Sequence, residues 1–304
     1  MQFSAAERDI SVIADWAELR VLYDPDHRIP LEAIRTRLDS DGSLADEIDE
    51  LSDEDPDEMR EQEASERLAA NVLAEIKRRR EVCGSAYPFQ IADGYLNLVG
   101  NRWDAYKFCL LVADREHYHS RDHETPLLFE HLTRAAVAAY LGGEAVRFGS
   151  HRDTMPVGVD AALTCLSSKI GALRVDGFPV QSTDNDLGLD VAGWKAFPDE
   201  RPGKLKLFVQ CATGIHWRNK KHDLDMERWK GILYMYVTPL TGMAIPYVLA
   251  DETDWRRQTS GLILFDRLRI SSCLDGHRLP PGHNWAQWCK QRIREGRERL
   301  NFAR

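Results

Sequence analysis

Asp186-Leu187-Gly188-Leu189-Asp190-Val191 and, further along, Phe208-Val209-Gln210-Cys211 are two apolar runs, each with one oxygen-bearing polar side chain at an end. Residues 189–194 predict a strand that opens on Asp190. Residues 204–211 alternate β-branched and aromatic side chains in period two and predict a strand that closes on Gln210. Paired as a hairpin, these strands bring the two side chains to one end of a sheet. Mg²⁺ takes hard oxygen ligands in an octahedral shell and keeps several of its waters. One carboxylate, one amide oxygen and a backbone carbonyl, here that of Cys211, supply part of such a shell. A metal held there lowers the pKa of a bound water and neutralises charge on a phosphoryl group in transit.

Outward from this hairpin, the segment around Leu127-Leu128-Phe129-Glu130 opens a helix that runs through residue 141, where Gly142-Gly143 permit the left-handed turn that ends it. A short strand follows over 145–148, then a helix over 159–173. Downstream of Gln210 the pattern predicts a helix over 217–236, strands over 243–249 and 262–270, and a basic helix over 285–300. The order is helix, strand, helical insertion, strand, strand, helix, strand, strand. That is a mixed α/β layer architecture and argues against an all-α scaffold.

Upstream the reading is coarser. Residues 1–37 form a small packed segment mixing Trp16, Leu19, Val21 and Leu22 with Pro25 and Pro30. Residues 38–66 are an acidic linker or exposed helix. Residues 67–123 form a helical region, in which Ser65 serves as N-cap to a helix with Leu68, Val72 and Ile76 at helical spacing. That helix closes on Lys77-Arg78-Arg79-Arg80. A second helix is expected over 103–113. The α/β domain occupies 124–276 and the basic helix 277–304.

Charge is unevenly placed. The net charge is −9, yet residues 39–63 hold thirteen acidic side chains against one basic, and residues 201–304 hold nineteen basic against ten acidic. A basic C-terminal third suits a polyanion-binding surface, with the acidic segment able to cover it; solvated surface charge accounts equally well for the composition. Trp285, Trp288, Lys290, Arg292, Arg294, Arg297 and Arg299 share the last helix. They suit a phosphate backbone, or else the tryptophans staple the helix and leave the arginines solvated.

Several function classes are excluded. No Gly-Lys-Ser/Thr phosphate loop, no Gly-x-Ser-x-Gly elbow and no cysteine–histidine dyad is found. The six cysteines include no Cys-x-x-Cys pair and suit buried side chains in a reducing compartment. His117, His119 and His123 read as a solvated loop rather than a zinc site. No run is apolar enough for a membrane helix, the N-terminus is neither a signal nor a transit peptide, and a cytoplasmic location is the expectation.

The motifs and their order resemble the PD-(D/E)XK nuclease superfamily, and within it the Mrr-like restriction endonucleases. Phe129-Glu130 matches the helical motif, Gly188-Leu189-Asp190 the first strand and Val209-Gln210 the second; the resemblance covers residues 125–270. It implies a restriction-endonuclease-like mixed sheet flanked by helices, with a helical N-terminal region. It implies a Mg²⁺-dependent deoxyribonuclease, with Mn²⁺ as a substitute ion, acting in restriction or anti-phage defence. Glu130 would lie near the metal, Asp190 would be the main ligand and Gln210 would replace the usual glutamate. DNA is the implied substrate, with a protein partner supplying recognition or ATPase activity and a homodimer as one arrangement. The chain departs from the pattern at Ala212, where the family carries a lysine. The family is known to relocate that lysine onto a neighbouring helix. Lys220, in the first turn of the helix expected after Gly214, is the replacement, and Lys221 is its alternative.

Overall fold

In the computed structural model, residues 10–40, 58–100, 103–114, 123–150, 152, 154–177, 186–277 and 279–302 are described. His117, His119 and residues 41–57 of the acidic segment lie outside them. The helices are α1 (Ile10–Tyr23), α2 (Glu32–Ser40), α3 (Glu58–Cys83), α4 (Ala105–Ala113), α5 (Glu124–Leu141), α6 (Val159–Ile170), α7 (Met226–Ile232), α8 (Glu252–Thr259), α9 (Arg267–Cys273) and α10 (Trp285–Phe302). The strands are β1 (Arg28–Pro30), β2 (Phe89–Ala92), β3 (Tyr95–Leu98), β4 (Glu144–Arg147), β5 (Leu173–Arg174), β6 (Val191–Lys195), β7 (Leu205–Cys211), β8 (Leu233–Tyr234), β9 (Leu240–Ala244) and β10 (Ile263–Phe265).

The central sheet has five strands in the order β10-β9-β7-β6-β4. β6 runs antiparallel to both its neighbours, β4 and β7, while β9 runs parallel to β7 and β10 parallel to β9. Both faces of its central strands are apolar, so both must be covered. Val191, Leu207 and Val209 pack with α5 and with the N-terminal helices in the largest core cluster. Ala192, Trp194 and Phe208 pack with α6 and α7 in a second cluster. A third cluster, with Ala212, Trp217, Met243 and Tyr247, fills the space beside β9.

Several boundaries differ from expectation. α3 begins at Glu58, so Ser65 lies inside the helix rather than at its start. The N-terminal region is not purely helical, because β1, β3 and β2 form a three-stranded antiparallel sheet. The helix expected over 217–236 is broken into a 3-10 turn (Trp217–Lys220), α7 and β8. Asp225 explains the late start of α7, since its carboxylate accepts from the N–H groups of Glu227 and Arg228. The strand expected over 243–249 is instead β9, ending at Ala244. The strand expected over 262–270 stops at Phe265, where Asp266 caps α9 through the Arg269 N–H. No helix among the described residues is long and apolar enough to cross a membrane.

The N-terminal helices are tied to the sheet by buried charge. Arg267 of α9 makes a bidentate contact with Asp15 of α1 at 2.8 and 2.7 Å. Arg79 of α3 reaches the same carboxylate at 2.7 Å and Glu18 at 3.1 Å. Tyr87 and Tyr106 donate to Glu18 at 2.7 and 2.9 Å. Burial pushes Asp15 up, but Arg267 and Arg79 together hold it below the usual carboxylate range. At Glu18, burial outweighs Arg79 and leaves the carboxyl above that range.

Candidate metal centre

Asp190 sits one residue ahead of β6 and its backbone is pinned from two sides. Its N–H donates to the Val209 carbonyl at 3.1 Å, and its own carbonyl accepts from the Phe148 and Gly149 N–H groups at 2.7 and 3.1 Å. The carboxylate is thereby fixed at the sheet end, where Oδ2 accepts from the Cys211 N–H at 2.6 Å. The β6–β7 register pairs Val191 with Val209, and one step beyond it stands Asp190 opposite Gln210. The register thus sets the two residues opposite each other at one end of the sheet. Gln210 turns away in part, its amide Nε2 donating to Asp223 Oδ2 at 3.1 Å.

Glu130 arrives at the same point from α5. A Cβ added to Gly149 would lie 2.6 Å from Glu130 Oε2 and 3.2 Å from Asp190 Oδ1. A side chain at residue 149 would displace the Glu130 carboxylate from its place beside Asp190. Glu130 Oε2 also accepts from Arg147 Nη1 at 2.8 Å, and the same nitrogen donates to the Ser150 carbonyl at 2.8 Å. Gly188, at φ +74°, performs a second close approach: a Cβ there would lie 2.3 Å from the Asp223 carbonyl oxygen. That approach seats the Asp223 loop beside Gln210.

Burial, and after it the negative charge of Glu130, push the Asp190 carboxyl well above the usual carboxylate range; the Cys211 N–H and Lys220 pull it back. Two carboxylates crowded into desolvated space repel. A divalent cation between them removes that repulsion, so the donor chemistry fits a hard metal ion. The fit rests on two carboxylates, one amide oxygen and one carbonyl, because the described residues include no group of three or more His, Cys, Asp or Glu suited to a metal. Cys211 touches Asp190 through its N–H, and its thiol is pushed far up by burial and then by Asp190 and Glu130. Such a thiol stays protonated and is no nucleophile.

Ala212, where the family pattern carries a lysine, is buried in the third cluster. Lys220 ends the 3-10 turn rather than opening a helix. That turn is docked at four points. Trp217 is buried, Arg218 meets Asp254 at 2.7 Å, Lys221 Nζ donates to the Arg257 carbonyl at 2.8 Å, and the Tyr247 hydroxyl donates to the Thr213 carbonyl at 2.7 Å. Lys220 is exposed, and its charge acts on both Asp190 and Cys211.

Sequence reasoning missed Arg147, Gly149, Asp223 and Asp254. Their contacts are made between segments distant in the chain, and no local pattern announces them. In the last helix the tryptophans do staple it to the core, while two of the arginines are bound to other segments rather than left solvated. Trp285 and Trp288 are buried against Phe108, each with ring centroids 4.9 Å away. Arg297 donates to the Tyr23 carbonyl at 2.8 Å and Arg299 meets Asp114 at 3.0 Å. Compared with family models, with curated proteins and with solved structures, the chain matches none.

Proposed function

We propose that this chain is a metal-dependent phosphodiesterase acting on DNA, with a core of the restriction-endonuclease type. The observation that carries the proposal is the convergence of Glu130 and Asp190 over Gly149, at the sheet end shared with Gln210 and within the field of Lys220. The element order supports it too: α5, the antiparallel β4, β6 and β7, then α7 and the parallel β9. Asp190, Glu130, the Gln210 amide oxygen and the Cys211 carbonyl would hold Mg²⁺, or Mn²⁺ in its place. When bound, the ion supplies an activated water and neutralises phosphate charge.

The protein's own groups do the rest. The Cys211 N–H fixes Asp190, so one carboxylate oxygen is held and the other faces Gly149. Lys220, on a turn docked at four points, offers a preorganised positive charge to the scissile phosphate; such charge lowers a barrier because it need not reorganise during reaction. The setting is bacterial restriction or anti-phage defence, with a partner protein supplying recognition or translocation.

A second reading is favoured by specific contacts. Glu130 is engaged by Arg147, Gln210 by Asp223, and Ala212 replaces the lysine. A non-catalytic DNA-binding or assembly subunit would tolerate all three. The two readings separate when the protein and Asp190→Ala are incubated with plasmid, single-stranded DNA and RNA, with and without Mg²⁺. Mg²⁺-dependent cleavage of DNA by the parent and none by the variant is expected. Equal cleavage by both would sink the metal assignment, and cleavage by neither would favour the second reading.

A further inference from the structure

An amide at a metal centre carries an ambiguity that a carboxylate does not. It presents an oxygen and an NH2 group of nearly the same shape, and only the oxygen can hold a cation. At Gln210 a neighbour removes the ambiguity. The amide Nε2 donates to Asp223 Oδ2 at 3.1 Å. A carboxylate accepts hydrogen bonds and donates none, so the reverse orientation would set two oxygens against each other. The amide oxygen is therefore turned away from Asp223. Gln210 stands opposite Asp190 in the strand register and is buried, which leaves its side chain little freedom. Asp223 is itself held through its backbone. Its N–H donates to the Lys220 carbonyl at 3.1 Å, and the next residue, Leu224, packs into the second apolar cluster. Its carbonyl oxygen lies where a Cβ on Gly188 would come within 2.3 Å. The Gly188 N–H in turn donates to Asp186 Oδ1 at 3.0 Å, and Trp229 of α7 donates to the Leu187 carbonyl at 3.2 Å. The segment that leads into Asp190 and the segment that carries Asp223 are thus packed backbone against backbone.

We infer that Asp223 is a positioning residue, which locks the Gln210 amide so that its oxygen, and not its NH2 group, is presented to a divalent cation at Asp190. The inference rests on the proposed metal centre. In this role Asp223 touches neither cation nor phosphate and acts only through Gln210. The pair also accounts for an amide at this position. Asp190 and Glu130 already crowd two carboxylates into desolvated space, and a glutamine adds a third oxygen ligand without a third negative charge. Its orientation must then be set from outside the shell of ligands, as carboxylates do for other metal-binding side chains.

The test is Mn²⁺ binding to the full chain by isothermal titration calorimetry, for the parent, Asp223→Ala, Gln210→Met and the double variant. Asp223 is exposed and Met nearly matches Gln in shape, so the fold is expected to survive, and circular dichroism in EDTA checks it. Asp223→Ala should weaken binding about tenfold in the parent, the lower end of the range for residues that orient a ligand. Gln210→Met keeps Asp190 and Glu130 but offers a soft thioether that a hard cation ignores. In that background Asp223→Ala should change binding by no more than about twofold, because nothing is left to orient. An equal fall in both backgrounds would mean that Asp223 acts on the ion through its charge, and no fall in either would mean that it does not act. Both results overturn the inference and leave the metal centre standing. A parent that binds no Mn²⁺ overturns the two together. A second measurement needs no metal: ¹⁵N NMR in EDTA should show the Gln210 side-chain amide hydrogens exchanging more slowly in the parent than in Asp223→Ala, and equal rates would overturn the lock. Binding coupled between Asp223 and Gln210 in a protein that cuts no DNA would leave the inference standing and sink the phosphodiesterase.

Discussion

Two adjacent lysines do different things. Lys221 is committed to a backbone carbonyl of α8, while Lys220 is exposed with its charge acting on Asp190. On the proposed phosphodiesterase reading, Lys220→Ala should reduce turnover by about two to three orders of magnitude, the cost typical of losing a preorganised charge donor. Lys221→Ala should cost much less, and steady-state kinetics on a plasmid substrate reads both. Reversed effects would mean that Lys221 faces the phosphate. Asp190 carries a second prediction, because its carboxylate is buried beside Glu130 and pushed towards protonation. Asp190→Asn removes a like-charge repulsion and should raise the metal-free Tm by about 2–4 °C, the shift that accompanies about 1 kcal/mol in a chain of this size. The parent should gain Tm on adding Mg²⁺ and the variant should not, since only a ligand that binds the folded state stabilises it. A variant that melts below the parent in EDTA would show that the carboxylate is structural.

At the scale of elements, the parts that were legible in the sequence are those governed by local pattern. β6 and β7 follow from alternation, α5 from apolar spacing with a terminating glycine pair, and the opposition of Asp190 to Gln210 follows from the register of that one pairing. What hid were elements set by single capping or turn residues. Asp225, Asp251 and Asp266 each start a helix that periodicity merged with its neighbours or passed over. Asp93-Gly94, both at positive φ, close the β2–β3 hairpin and are a strong hairpin signal inside a region read as helical. The docking of the Lys220 turn was illegible because Asp254 lies on the overlooked α8. Asp254 is also where the turn's stability resides. Burial pushes its carboxyl up, but Arg218, Gln258 and Arg257 outweigh that and lower it to about 2. A folded pKa below the unfolded value means stabilisation present above about pH 4 and lost as pH falls towards 2. Asp254→Asn should cost about 1–2 kcal/mol, as expected for losing charge-assisted hydrogen bonds. It should lower kcat more than it raises KM, because the turn that presents Lys220 loosens. A urea titration with the parent's midpoint, together with unchanged kcat, would remove Asp254 from this role.

At the scale of the whole molecule, one apolar cluster runs from α1 and α3 through α5 to the sheet and α10, so the N-terminal segments share the core that supports the candidate site. The buried charges sit where these parts meet. Arg267 and Arg79 are wholly buried and answer to Asp15, Glu18 and Glu75 on α1 and α3. Buried ion pairs are weak evidence for net stability, because desolvation offsets much of their attraction, but removing one partner strands the other in low dielectric. Arg267→Met should therefore cost about 3–5 kcal/mol, by leaving Asp15 and Glu18 with Arg79 alone. Asp15→Asn added to it removes the stranded charge, so the double variant should be more stable than the sum of the single losses by about 0.5–3 kcal/mol. Urea unfolding with an unchanged m-value measures both. Hydrogen exchange supplies the molecular-scale readout: in the parent, amides of α1 and β7 should open in one cooperative unit, and in Arg267→Met those of α1 should open first. Strictly additive energies, with α1 and β7 still exchanging together in Arg267→Met, would mean that apolar packing alone joins the N-terminal helices to the sheet.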